Sequence, residues 1–146
     1  MHTPQEPWSY GLFVPHDPRA AGVVRATLRA ALRAARLDCF VDPAELLVSE
    51  LTTNAYRHAG GDAFISFDWA PDRLRVSVWD PSPELPEALR TVPPPHTAPV
   101  GDESESGRGL ALLRCFADEW GAYGTHGPWG ARPEITGKVV WFGLKA

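Results

Sequence analysis

The placement of proline constrains this chain more than any other feature of its sequence. Seven of the fifteen prolines fall between positions 81 and 99, and a run rich in glycine, serine and acidic residues follows up to position 107. Proline lacks a backbone donor and fixes φ, so the segment 81–107 is predicted to form neither a buried helix nor a central strand. A loop of this length is usually a functional lid or a disordered linker. Each flank is too short to hold a core of its own, so we favour a lid within one domain of residues 1–146.

The composition is that of an ordinary folded domain. The chain is 44% hydrophobic and carries a formal net charge of −4. Its charges are dispersed, so we expect no direct contact with nucleic acid, which requires a concentrated basic surface. No apolar stretch approaches the roughly 18 residues of a membrane span, and the N-terminus lacks a signal-peptide pattern. Cys39 and Cys115 have no ligand partner at metal-binding spacing, which predicts two buried, reduced thiols in a cytoplasmic protein without a membrane partner.

Hydrophobic periodicity before the proline-rich segment predicts a strand and two helices. The strand covers residues 8–14, and an alanine-rich helix over 18–36 follows it. Asp17 precedes a proline at the first position of this helix and is the expected N-cap. A second helix is predicted to begin by the same device at Asp42 and to end at a pair of glycines, 60 and 61.

The remaining periodic segments predict a third helix and two pairs of strands. The helix covers residues 109–120 and is expected to end at Gly121. The strands are predicted over 63–69, 73–79, 122–125 and 138–144. Because the strands follow one another in pairs, the sheet is expected to be mixed and mostly antiparallel, with the helices on one face. The predicted fold class is therefore α+β, as a two-layer α/β sandwich.

The second predicted helix carries the first candidate site. At 100° per residue, Glu50 and Asn54 lie together at the edge of the apolar face, one turn apart. Asparagine inside a helix is disfavoured because its side chain competes for backbone hydrogen bonds, so its presence beside the core indicates a role. An amide oxygen suits Mg²⁺, and a nearby carboxylate can orient a hydroxyl that attacks a phosphate. An ordinary polar edge of a surface helix is the alternative interpretation of this pair.

Two further features are weaker when each is taken alone. Asp80 lies at the end of the strand predicted over 73–79, where a carboxylate can accept a hydrogen bond from the exocyclic amine of adenine. An aspartate before proline is also a common turn initiator. Gly107, Arg108 and Gly109 lead directly into the third predicted helix. The free N–H groups at a helix start can bind an anion, although glycine before a helix is often turn chemistry alone.

In this order the three features resemble a known ATP-binding fold. They are E-L-x-x-N-A-x-x-H-A at Glu50 to Ala59, the strand-terminal Asp80, and ESGRGLALL at Glu105 to Leu113 after the proline-rich segment. The combination is similar to the fold shared by histidine kinases, gyrase, the Hsp90 chaperones and MutL. The closer resemblance is to the anti-sigma-factor serine/threonine kinases, the RsbW-like and SpoIIAB-like proteins. It runs nearly end to end and includes the closing GKVVWFGL.

The resemblance implies a role for each matching residue. Asn54 would ligate Mg²⁺, Glu50 would be the catalytic carboxylate, and Asp80 would hold adenine. The phosphate side of an ATP lid at 81–107 would be formed by a short group of residues: Gly107, Arg108, Gly109 and Leu110. Arg57 and Arg108 are the candidates for phosphate contacts, and His58 is expected to be a packing residue that closes its helix.

Three positions depart from the pattern of the family. The D-x-G sequence of many relatives is replaced by Asp80-Pro81-Ser82, which removes a glycine that lets the backbone approach adenine. Glu105 stands where the characterised switch kinases carry an arginine that reaches the terminal phosphate. Val139 stands where a threonine on the last strand often lies near adenine. These differences bear more on phosphoryl transfer than on ATP capture.

The resemblance leads to two functional hypotheses, and a third, a pure interaction protein that has lost ATP, is disfavoured because Glu50, Asn54 and Asp80 are all present. In the first, the protein binds ATP with Mg²⁺ and phosphorylates a serine of a small anti-sigma antagonist partner of the STAS type. It would then choose between that partner and a sigma factor, and the relatives imply a homodimer. In the second hypothesis the protein is a nucleotide-dependent binding module without kinase activity.

Overall fold

Three α-helices and five strands make up the described part of the chain, which covers residues 6–82, 105–126 and 136–146 of a computed structural model. Most of the expected lid at 81–107 lies outside these ranges. A short 3-10 helix at Asp38–Phe40 precedes the second α-helix. In chain order the elements are β1 (Trp8–Val14), α1 (Ala20–Ala34), α2 (Val41–His58), β2 (Ala63–Ala70), β3 (Arg73–Asp80), α3 (Glu105–Phe116), β4 (Glu119–His126) and β5 (Thr136–Lys145).

The five strands form one sheet in the order β1-β2-β3-β5-β4. Every pairing between neighbours in this sheet is antiparallel. The last strand in sequence, β5, therefore lies between β3 and β4 rather than at an edge. The α+β class and the two-layer architecture predicted from the periodicity are confirmed, as are the two strand pairs β2–β3 and β4–β5.

One face of the sheet packs against the helices and forms the core. Alternate residues of each strand point to this face, because successive side chains of a strand lie on opposite sides. The helices contribute their predicted apolar faces, including Leu47, Val48, Leu51 and Ala55 of α2. The largest fully buried side chains of the core are Val24, Leu28, Leu32, Leu47, Val48, Ile65, Phe67, Leu74, Val76, Val78, Leu113 and Phe142.

The two predicted N-caps are wrong. The helix α1 begins at Ala20, and the carboxylate of Asp17 accepts a hydrogen bond from the Arg19 N–H at 2.7 Å in the turn before it. The helix α2 begins at Val41 because the preceding 3-10 turn leads directly into it, which places Asp42 inside the first turn. A proline within the first turn is tolerated, since the N–H groups there have no partner inside the helix.

The third helix and the fourth strand are both displaced from their predictions. The helix α3 covers Glu105–Phe116, so it begins earlier and ends earlier than residues 109–120. Trp120 lies in β4 opposite Phe142, where it packs against the core. Gly121 does not end a helix; it lies in β4, and a Cβ added there would meet the Trp141 indole at 2.9 Å. The periodicity of 109–120 was ambiguous because its last residues fit a strand equally well.

The two cysteines are not buried as the sequence predicted. Cys39 and Cys115 are free and exposed, so the predicted burial of both thiols is wrong. Interior positions next to them are taken by larger apolar side chains, Phe40 in the 3-10 turn and Leu113 in α3. In the described ranges, no helix has the length and apolar character needed to cross a bilayer.

Candidate functional site

Asp80 is the last residue of β3, and its backbone lies directly opposite Lys138 of β5. Both side chains point to the helix-covered face of the sheet, at the end of the strands. The Lys138 ammonium donates a hydrogen bond to Asp80 Oδ1 at 2.8 Å. The same oxygen accepts a second hydrogen bond from the Ser82 N–H at 2.9 Å. We refer to Asp80, Ser82 and Lys138 together as the corner.

The ion pair of the corner is almost completely buried. Only 7% of the Lys138 side chain and 5% of the Asp80 side chain are exposed. A lysine is rarely buried unless it is paired, because removing its charge from water is costly. The pairing of Asp80 with Lys138 therefore accounts for the burial of each.

The buried position also changes the acidity of Asp80. Burial raises the pKa of the Asp80 carboxyl above its ordinary value of 3.8 because it disfavours the charged form. The Lys138 ammonium, the Ser82 N–H and the charge of His58 act in the opposite direction and limit this rise in pKa. Burial therefore destabilises the charged form of this carboxylate, and the neighbouring Lys138 ammonium partly offsets that effect.

Gly137 allows β5 to approach β3 at the corner. A Cβ added to Gly137 would lie 2.3 Å from the Asp80 carbonyl oxygen and 2.8 Å from atoms of the Trp79 indole. Real Cβ atoms essentially never come this close to backbone. The residue before Lys138 must therefore be glycine if the two strands are to keep the register that joins Asp80 to Lys138.

The candidate ligands of α2 lie on the helix that packs against β3. Glu50 and Asn54 are half-buried, one turn apart, at the edge of the buried arc. Asn54 Oδ1 is a buried oxygen with no hydrogen-bond partner in the described part of the chain. A buried acceptor without a partner is costly, so this oxygen is able to accept a ligand or a water. A neutral amide oxygen also matches the hard oxygen ligands that Mg²⁺ prefers, so Asn54 fits the metal that the sequence predicted.

The last turn of α2 presents Arg57 and His58 to solvent. The expectation that His58 packs to close the helix is wrong, because its side chain is exposed. Its position follows from the helical period, which buries Ala55 and Ala59 but turns residues 57 and 58 outward. His58 lies near enough to Asp80 for its charge to lower the pKa of that carboxyl. It belongs to the surroundings of the corner rather than to the core.

The glycine-rich residues lie inside α3 rather than before it. Gly107 and Arg108 belong to the first turn of this helix, and Gly109 and Leu110 to the second. The N–H groups left without a helical partner are those before the fourth helical residue, so they include Gly107 but neither Arg108 nor Gly109. The roles predicted for these residues and for Arg57 remain predictions.

The sequence interpretation missed Lys138. It took Val139 as the residue of the last strand nearest the adenine contact, but Val139 pairs with Trp79 and faces the opposite side of the sheet. The side chain beside Asp80 is that of Lys138. The signal was available in the strand period, since Lys138 shares the face of Val140 and Phe142 and so places a charge on the core side.

The comparison with protein families gives one result. Residues 14–132 match a family model described as a histidine kinase-like ATPase domain. The match covers most of the chain, from the end of β1 to beyond β4, and includes α2, Asp80 and α3. A search of curated proteins found no match to this chain.

Proposed function

The chain belongs to the histidine kinase-like ATPase domain family, and on that premise we propose that it binds ATP with Mg²⁺ between α2 and the corner. We further propose that it transfers the terminal phosphoryl group to a serine of a small anti-sigma antagonist partner of the STAS type. The observation that carries the proposed binding of ATP with Mg²⁺ is the buried Asn54 Oδ1, which lacks a hydrogen-bond partner among the described residues.

Asn54 would hold the metal through this amide oxygen. Mg²⁺ usually keeps several waters and takes one or two protein oxygens together with phosphate oxygens of the substrate. When bound, it would neutralise charge on the phosphates and favour phosphoryl transfer. A single protein oxygen is thus a sufficient contribution from α2.

Glu50 would orient the attacking serine hydroxyl. Its carboxylate is half-buried and forms no hydrogen bond or ion pair with the described residues, so its acceptor oxygens are available to a substrate. It lies one turn before Asn54 on the same helix, which gives both groups the same backbone support. A carboxylate that accepts the hydroxyl proton would assist the attack on the terminal phosphate.

Asp80 would accept a hydrogen bond from adenine through Oδ2, since Oδ1 already accepts from Lys138 and Ser82. Because Oδ1 is occupied in this way, Asp80 can form fewer hydrogen bonds with the base. This supports a second candidate function. A site that holds the base through fewer contacts, and carries Glu105 where relatives have arginine, suits a nucleotide-dependent binding module that does not transfer phosphate. In that case ATP would change the surface offered to a protein partner.

The first experiment is titration calorimetry of ATP with and without Mg²⁺. We expect saturable binding that tightens when Mg²⁺ is added. Asn54→Ala should remove this tightening, because the metal loses its ligand on α2. Thr53→Ala is the matched control, since Thr53 is the neighbouring half-buried residue of the same helix. An absence of saturable binding at millimolar ATP would contradict the proposal.

Phosphoryl transfer requires its own test. Transfer of ³²P from ATP to a STAS-domain protein separates a kinase from a binding module. Glu50→Gln should abolish transfer and leave ATP affinity nearly unchanged, because the carboxylate acts on the hydroxyl and not on the nucleotide. Asp42→Asn is the control on the same helix, where it lies exposed in the first turn. Transfer that survives Glu50→Gln would remove the catalytic role from that residue.

A further inference from the structure

The helix α2 ends without a left-handed residue as its cap. Ala59, which follows its last turn, has extended backbone with φ −113° and ψ 133°, whereas many helices end on a left-handed glycine whose N–H bonds a final carbonyl. The carbonyl oxygens at the end of a helix have no partner inside it. The Ala59 N–H donates to the Ala55 carbonyl oxygen at 2.9 Å, so the Tyr56 carbonyl depends on a donor from elsewhere in the chain.

His16 supplies this donor from the segment between β1 and α1. Its Nε2 lies 2.8 Å from the Tyr56 carbonyl oxygen. A carbonyl only accepts hydrogen bonds, so Nε2 carries the hydrogen and donates it. The imidazole also stacks on the Tyr56 ring, with the ring centroids 4.6 Å apart and an angle of 30° between the planes. One side chain therefore contacts both the backbone and the ring of Tyr56.

A third contact joins His16 to the connection between α2 and β2. The His16 backbone N–H donates to Asp62 Oδ1 at 3.1 Å. His16 thus contacts residues on both sides of the point at which α2 ends, and its two hydrogen-bond partners lie 40 and 46 positions away in sequence. The end of α2 is therefore fixed by tertiary contacts in addition to its own helical hydrogen bonds.

The end of α2 bears directly on the proposed metal ligand. Asn54 precedes Tyr56 by two residues, and in an α-helix its backbone carbonyl accepts from the N–H of His58 in the last turn. The ends of helices open more readily than their interiors. Opening of this turn would break the hydrogen bond that holds the Asn54 peptide group and would displace its side-chain amide oxygen.

We propose that His16 is a positioning residue that holds the last turn of α2 closed, and with it the Asn54 amide oxygen, for the binding of Mg²⁺ with ATP. The inference rests on the proposed function, because it concerns the same metal ligand. His16 acts through Tyr56 and not by contact with the metal or the nucleotide. Its side chain is exposed, so water competes for the hydrogen bond. We therefore expect an effect of about three- to tenfold.

The test compares two substitutions of His16 by amide hydrogen exchange and by calorimetry. His16→Phe keeps a ring that can stack on Tyr56 and removes the donor. We expect it to speed exchange of the Ala59 amide about three- to tenfold, and to reduce by a similar factor the tightening of ATP binding when Mg²⁺ is added. The affinity for ATP without Mg²⁺ should stay unchanged.

His16→Gln is the conservative variant. It keeps an N–H donor near the position of Nε2, so it should restore slow exchange at Ala59 and the full effect of Mg²⁺. Because the His16 side chain is exposed, neither substitution leaves a cavity in the core.

Glu45→Gln is the matched control. Glu45 contacts Arg29 and so also joins α2 to the preceding helix, but it lies near the start of α2. This variant should leave both Ala59 exchange and the effect of Mg²⁺ unchanged.

The outcomes separate this inference from the proposed function. Unchanged Ala59 exchange in His16→Phe would overturn the inference, whether or not the protein binds ATP. Faster exchange with an unaltered effect of Mg²⁺ would also overturn it, because the turn would then open without moving the metal ligand. Weaker ATP binding in the absence of Mg²⁺ would show a general structural role instead. If Mg²⁺ does not tighten ATP binding by the unaltered protein, both the proposed function and the inference are contradicted.

Discussion

One ion pair lies at the corner and another joins α1 to α2, and the two pairs differ mainly in burial. At the corner, 7% of Lys138 and 5% of Asp80 are exposed. Between the helices, Arg29 contacts Glu45 with 42% and 15% exposed. Water screens the second pair and replaces lost contacts, whereas little water reaches the first pair, and the Ser82 N–H is its further hydrogen-bond donor. Breaking the buried pair is therefore expected to lower the free energy of unfolding more than breaking the exposed pair.

The largest predicted effect is at the corner. Asp80→Asn leaves an unpaired ammonium and Lys138→Met an unpaired carboxyl, and each should lower the free energy of unfolding by about 3–5 kcal/mol. The double variant removes both charges and should be more stable than either single variant. Urea unfolding curves of the four proteins measure the coupling. Additive losses would show that the two side chains act independently.

The pH dependence of Lys138→Met sharpens this prediction. Burial raises the pKa of Asp80, and loss of the ammonium should raise it further. A carboxyl whose folded-state pKa exceeds its unfolded value destabilises the fold above the folded pKa, and this effect is relieved as pH falls toward the unfolded value. Lys138→Met should therefore recover stability as the pH is lowered through that window. Asp80→Asn, which has no carboxyl there, should show no such recovery.

The next largest effect is expected at Gly137. Gly137→Ala forces a Cβ against the Asp80 carbonyl oxygen and the Trp79 indole, so the strands must separate locally. We expect a loss of about 1–3 kcal/mol in thermal or urea unfolding. Gly60→Ala is the control, because no atom lies within 4 Å of a Cβ built there. Equal losses at both glycines would show that close strand packing is not the cause.

The pair between the helices should matter less. Glu45→Gln keeps the shape of the side chain and removes its charge beside Arg29. We expect the free energy of unfolding to fall by no more than about 1 kcal/mol, and the difference from the unaltered protein to shrink in high salt. A loss as large as that of Asp80→Asn would mean that burial does not distinguish the two regions.

The smallest effect is expected at the exposed turn before α1. Arg19 lowers the pKa of Asp17 from 3.8 to about 2 through side-chain and backbone hydrogen bonds. A lowered folded-state pKa stabilises the protein above the unfolded value, and this contribution disappears as the pH falls from 3.8 toward 2. Asp17→Asn should therefore cause a small loss of stability at neutral pH, kept small by solvent screening, and its difference from the unaltered protein should disappear as the pH falls from 3.8 toward 2. Unfolding curves at a series of acidic pH values measure it.

The sequence was sufficient to predict the fold class and the positions of Glu50 and Asn54 on α2. Helical periodicity placed Glu50 and Asn54 together at the edge of a buried face, where the structure has them. It failed at residues 117–120, because a short apolar segment fits a helix or a strand until a neighbouring strand, here β5, selects one. It also failed at Lys138, whose partner is 58 positions away. Contacts of that separation depend on strand register, which local patterns do not determine.

The place of β5 in the sheet has a consequence for the order of folding. Until β5 pairs, the hydrogen-bonding groups of β3 on that side remain open to other chains. Contacts between distant segments also form slowly, because a long loop must close first. The strand that brings Lys138 to Asp80 therefore also closes an aggregation-prone edge, and a change that delays it would reduce the yield of folded protein before it affected any ligand.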